Sequence, residues 1–145
     1  MTYFISGHRN LSYEDFEKYY IPTIKNIIDF DNYPVFVMGD YEGVDKFAMD
    51  YIYNQTFCEI IIYHMGNNPK NVPENIDKER PTIIDDIHTL ENKCGFLVSY
   101  SGGYKSDEER DAAMTKISDC DIAFIKDNRW NSGTAQNIKR RHSII

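Results

Sequence analysis

The chain repeats one rhythm: a short apolar run, a glycine or polar break, then an amphipathic stretch. "TYFIS" stops at Gly7, "PVFVM" at Gly39 and "EIIIYHM" at Gly66. Ile60, Ile61 and Ile62 follow one another without polar alternation, so that strand needs cover on both faces. Strands of this kind alternating with helical segments leave few folds open. They predict an α/β chain, a Rossmann-like three-layer sandwich with a mostly parallel sheet of about five strands. The 145 residues suit one domain with one core, spanning 1–145.

The helical segments carry their own signals. In "SYEDFEKYYIPTIKNIIDF", Ser12 is placed to cap, and Phe16, Tyr20, Ile24 and Ile27 share a face. Pro22 falls inside that pattern, so the helix kinks or restarts there. Val44, Phe47, Ala48, Tyr51 and Ile52 form a second stripe. Ser106 and Glu109 make an S-x-x-E capping box before a helix whose buried face is predicted to be Ala113, Met114 and Ile117. "GFLVSY" (95–100) and "DIAFI" (121–125) read as strands, with "SGGY" as a turn after the first. "SGTAQNIKRR" reads as the last helix. Residues 64–95 form an irregular insertion, broken by Pro69, Pro73 and Pro81. There "TIIDDIHTLENK" is a short helix or part of a hairpin, and a loop this long is often a lid or binding loop.

The formal net charge of −7 argues against an extended nucleic-acid surface, which needs a basic face. A small anion is still compatible, because a nest of backbone N–H groups does not depend on net charge. The basic cluster Lys139, Arg140 and Arg141 fits the last turn of a helix, where cations complement the dipole. Cys58, Cys94 and Cys120 are odd in number and lack metal-ligand spacing, which predicts reduced thiols in a cytoplasmic protein. "MTYFISGHRN" lacks a leader pattern, and no apolar run approaches membrane-spanning length.

In a parallel sheet, ligands bind beyond the carboxyl ends of the strands, near a switch in strand order. Four segments are predicted to meet there: Gly7-His8-Arg9, the turn from Gly39 to Asp45, the region around Ser101 to Arg110, and Ser132-Gly133-Thr134. The last segment has helix-start N–H groups and two hydroxyls, a fit for phosphate. Ser132 is equally a plain N-cap. His8 is a candidate acid or base, or a turn cap. His64 and His88 have no second metal ligand at a useful spacing, so no metal site is expected. Asp40, Glu42 and Asp45 would suit Mg²⁺ beside a nucleotide, or simply form a solvated turn and an acidic helix start. Trp130 precedes the last turn and would stack on a base or cover the core edge.

"ISGHR", "VMGDYEGVDKFAMDYI", "ERDAAMTKISDCDIAFI" and "SGTAQNI", in that order, resemble the SLOG superfamily of Rossmann-like proteins. The nearest branch is the one related to the bacterial YspA and YpsA proteins. The resemblance covers most of the chain apart from roughly 64–100. It implies a nucleotide or nucleotide-derived ligand, with no required cofactor. Gly7, His8, Arg9, Gly39, Asp40, Gly43, Asp45, Arg110, Asp111, Ser132, Gly133, Thr134 and Asn137 would bind it. Of these, Arg110 would grip phosphate.

The stretch from Arg110 to Asn137 also resembles the LOG phosphoribohydrolases and, more distantly, nucleoside deoxyribosyltransferases. In both, a Glu carries the glycosidic chemistry where this chain has Asn137. An amide cannot ionise, so a catalytic role falls to Arg110, Asp111, Asp45 or Glu109, or to none. Three readings follow. The first is a sensor or sequestering module for a nucleotide, and the second an N-glycosidic hydrolase or transferase. The third is a protein-interaction module. A homo-oligomer fits any of them.

Overall fold

The computed structural model describes residues 1–55, 58–74, 88–91, 97–125 and 132–144. Six strands form one sheet: β1 (Thr2–Ser6), β2 (Val35–Met38), β3 (Glu59–Met65), β4 (His88–Glu91), β5 (Leu97–Tyr104) and β6 (Cys120–Ala123). Their order is β4-β5-β3-β2-β1-β6. Five strands run parallel, and β4 lies antiparallel on the outer side of β5. The helices are α1 (Tyr13–Tyr19), α2 (Ile21–Phe30), α3 (Val44–Tyr53), α4 (Asp107–Ile117) and α5 (Gly133–Ile144). The fold is therefore the expected single-domain, Rossmann-like three-layer sandwich. No described helix is long and apolar enough to cross a membrane.

Strand alternation divides the core cleanly. Tyr3, Ile5, Phe36, Met38, Ile60, Ile62, Val98, Tyr100 and Ile122 face one way and pack with Phe16, Tyr20, Ile24, Val44, Ala48 and Ile52 of α1–α3. Phe4, Val37, Ile61 and Tyr63 face the other way, onto Met114 of α4. Phe4 and Phe36 have almost no exposed surface, which satisfies the double-sided burial that the unbroken apolar runs require. Free thiols remain at Cys58 and Cys120, while Cys94 lies outside the described residues.

Several local details differ from the sequence reading. Pro22 does mark a restart: α1 ends at Tyr19 and α2 opens with proline in its first turn, where the missing N–H costs nothing. "SGGY" is not a turn. It continues β5, pairing Ser101 with Tyr63 and Tyr104 with Met65 across an irregularity in the register. Gly102 permits this, because a Cβ there would lie 2.2 Å from the buried His64 ring. Ile117 is 55% exposed, so the buried side of α4 is Arg110, Met114 and Thr115 rather than a stripe reaching Ile117. Within the expected insertion, residues 64 and 65 finish β3, and residues 88–91 take the hairpin alternative as β4. The loop between them starts tied down: the Lys46 ammonium donates to the Val72 carbonyl at 3.0 Å and Glu74 N–H to Asp50 at 2.8 Å.

The strand order reverses between β1 and β6. One side chain spans that gap. The buried Tyr20 hydroxyl donates to the Ser6 carbonyl and accepts from Phe124 N–H, each at 2.9 Å. It thereby satisfies backbone groups just past both strand ends. Tyr20→Phe strands both groups and should cost about 2 kcal/mol of stability. Urea unfolding checks this, and a loss under about 0.5 kcal/mol would remove the hydroxyl from that role.

Candidate functional site

A cleft of about 140 Å³ opens beside that switch in strand order. From the end of β1 come Ser6, Gly7 and Arg9, and after β2 come Gly39, Tyr41 and Asp45. Helix α4 gives Asp107, Arg110, Asp111 and Met114; helix α5 gives Gly133, Thr134 and Asn137. Phe4 and Ile5 complete the apolar floor. The volume is close to that of an engineered cavity of roughly 150 Å³ known to hold one small ring. Two glycines make the close approach possible. A Cβ on Gly7 would lie 2.4 Å from Val44, and one on Gly39 would lie 2.8 Å from the Asp45 carboxylate.

Electrostatics centre on Arg110, which is only 4% exposed. Its Nη1 donates to Asp40 at 3.3 Å and its Nε to Asp111 at 3.2 Å, while Asp107 lies 3.8 Å from Nη2. A buried cation needs such partners. They also occupy the donors that phosphate would use, so acids, not a free guanidinium, dominate the floor. Asp45 adds another. Burial pushes its carboxyl from 3.8 up to about 7, against the opposing pull of Tyr41 N–H and Arg110. Asp111 is raised in the same direction by burial, offset by Arg110 and Asn137.

Asn137 is 3% exposed and bonds to the Asp111 carboxylate. Its Oδ1 accepts from Arg140 at 2.7 Å. An amide can donate to one neighbour and accept from the other, which a carboxylate beside Asp111 could not do. Arg141 pairs with Asp121 at 2.9 Å and with the Ser118 carbonyl at 3.0 Å. These two arginines thus have specific partners beyond the helix dipole.

Most of the expected residues converge: Gly7, Arg9, Gly39, Asp45, Arg110, Asp111, Gly133, Thr134 and Asn137 all line the cleft. Others support it from outside. Asp40 is buried behind Arg110, and also accepts from Lys70 N–H at 2.7 Å. Gly43 takes φ +79° against the Arg9 carbonyl, which a side chain would strike. His8 is buried, and its carbonyl accepts Val44 N–H at the start of α3. Ser132 is the N-cap: its hydroxyl accepts from Ala135 N–H at 3.1 Å. The last turn therefore presents Thr134 and the Gly133 backbone. Glu109 caps α4, accepting from Lys105 N–H.

Ser6, Tyr41 and Asp107 belong to the lining without having been predicted as site residues, and Met114, expected as a buried helix residue, lines it too. Ser6 Oγ is buried with no hydrogen-bond partner among the described residues. Tyr41 carried a usable signal, an aromatic inside a polar glycine turn. The His88 side chain and Trp130 lie outside the described residues. No cluster fit to hold a metal ion occurs among the described residues. No family model matches the chain, and no curated protein or solved structure does either.

The raised Asp45 carboxyl has a consequence for stability. Between about pH 4 and 7 the folded protein keeps a proton that the unfolded chain has lost. Stability therefore falls as pH rises through this window and levels off beyond it. Asp45→Asn should flatten that slope relative to wild type in urea unfolding at stepped pH. Parallel slopes in the two proteins would mean that Asp45 is ionised throughout.

Proposed function

We propose that the chain binds a nucleotide or nucleotide-derived small molecule at the carboxyl edge of its sheet, as a sensor or sequestering module. The observation that carries this is the convergence of four chain segments on one cleft at the reversal of strand order. Parallel α/β sheets use that place for ligands. The donor set suits a sugar with a polar attachment. Carboxylates on the floor accept from hydroxyl groups, while Ser6 and Thr134 add hydroxyls. Among the described residues nothing lies within 4 Å of where a Cβ on Gly133 would be, which leaves that backbone open to a ligand. The ordered glycine and arginine motifs of the SLOG type support the same ligand class.

A second reading is favoured by one observation: two acids with raised pKa, Asp45 and Asp111, line the same small cleft. A carboxyl near 7 can give or take a proton at neutral pH. N-glycosidic cleavage uses such a group together with a second carboxylate facing the sugar. In this reading Asp111, bonded to Asn137, takes the place of the Glu missing at 137.

Thermal shift against nucleosides, nucleotides, dinucleotides, cyclic nucleotides and ADP-ribose derivatives tests both, with chromatography for released base. A raised melting temperature with intact ligand is the expected result. Released base would establish the second reading, and Asp45→Asn should then slow release by about a hundredfold or more while binding persists. No shift with any of these compounds would overturn both and favour a protein-interaction module.

A further inference from the structure

The cleft has opposite charges at its two levels, and this orients whatever enters. The floor carries Asp45 and Asp111 beside Arg110, and Asp40 holds that guanidinium from behind. The rim is the reverse. The Arg9 guanidinium carbon lies 3.8 Å from the centre of the Tyr41 ring, and the Lys70 ammonium lies 4.4 Å from it. Asp107 is an acid at this level: it accepts from Arg9 at 3.3 Å and from the Tyr41 hydroxyl. It uses one of the five donors of Arg9. The Lys70 ammonium has no carboxylate partner among the described residues.

This rim is positioned from within. The buried Asp40 carboxylate accepts Lys70 N–H at 2.7 Å, and the Asp40 carbonyl accepts from the Asn71 amide at 2.8 Å. The same carboxylate holds Arg110. Arg9 and Lys70 share a ring that also lies 4.6 Å from the Arg110 guanidinium, and in a chain of net charge −7 they leave a local excess of positive charge beside the opening. An anion relieves their mutual repulsion.

Resting on the proposed nucleotide-type ligand, we infer that the ligand enters sugar first. Its phosphate is held at the rim by Arg9 and Lys70 across Tyr41, and not on the floor by Arg110. The floor acids then meet hydroxyl groups, which they accept from, rather than phosphate oxygens, which they repel. Arg9 and Lys70 are specificity-determining residues for the phosphorylated form of the ligand. Asp40 is a positioning residue for Lys70.

The test compares AMP, GMP, CMP and UMP with the corresponding nucleosides by calorimetric titration at low and moderate salt. The proteins are wild type, Arg9→Ala, Lys70→Ala and the double variant. Both side chains are exposed, so the variants should fold, and an unchanged urea midpoint confirms it. Wild type should prefer at least one monophosphate to its nucleoside. Each single substitution should weaken the monophosphate by about three- to tenfold, because exposed charge contacts are modest and screened, and Lys70→Ala, outside the cleft lining, should leave the nucleoside unchanged. The double variant should lose most of the preference. An undiminished preference in the double variant would overturn the orientation while leaving the proposed binding intact. Binding of neither monophosphates nor nucleosides would overturn the orientation, and the wider thermal-shift screen separately decides the proposed function.

Discussion

A guanidinium inside the protein is the constraint around which the carboxyl end of the sheet is arranged. Arg110 sits on α4 with 4% of its surface exposed, and its charge must be met locally. Asp40 arrives from the end of β2, Asp111 from the next position on α4, and Asp107 from the turn before. Satisfying one cation therefore fixes α4 against the β2 loop. Through Asp40, it also fixes the start of the loop that follows β3. Burial of Asp45 is tolerable in part because Arg110 lies near it.

The same arrangement produces a cleft with a polarity. Carboxylates that neutralise Arg110 surround the small volume between α4 and α5, whereas Arg9 and Lys70 lie against Tyr41 at the opening, a ring that Arg110 also approaches. The apolar floor belongs to the thinner half of the sandwich, where Phe4, Val37, Ile61 and Tyr63 meet Met114. The thicker half is packed on α1–α3. Packing strength and ligand access thus fall on opposite faces of one sheet.

Much of this was legible in the sequence, for specific reasons. Ile60–Ile62 announces a strand covered twice, and Ser12, Ser106 and Pro22 mark helix starts by chemistry that acts within a few residues. The glycines at 7, 39 and 43 mark backbone that neighbours crowd. What escaped depends on distant partners. "SGGY" reads as a turn until His64 is known to lie against Gly102. Arg110 reads as a phosphate grip until Asp40, seventy residues away, is seen to hold it. Ser132 offered two roles, and the Ala135 bond identifies it as a cap. The pairing of Asn137 with Asp111 and Arg140 has no local pattern at all. Lys70 lay in a stretch whose prolines and asparagines hide any periodicity.

The place of β1 in the sheet bears on how the chain acquires its shape. Its first neighbour, β2, begins some thirty residues downstream, but its second, β6, pairs Tyr3 with Cys120. During synthesis β1 thus keeps one open edge until β6 has been made. Closing that edge joins the most remote partners in the sheet, the step that loop entropy makes slowest. The cleft over β1 has no second wall before then. Completion of the sheet and completion of the cleft are accordingly one event, so any molecule that occupies the cleft acts on that docking step.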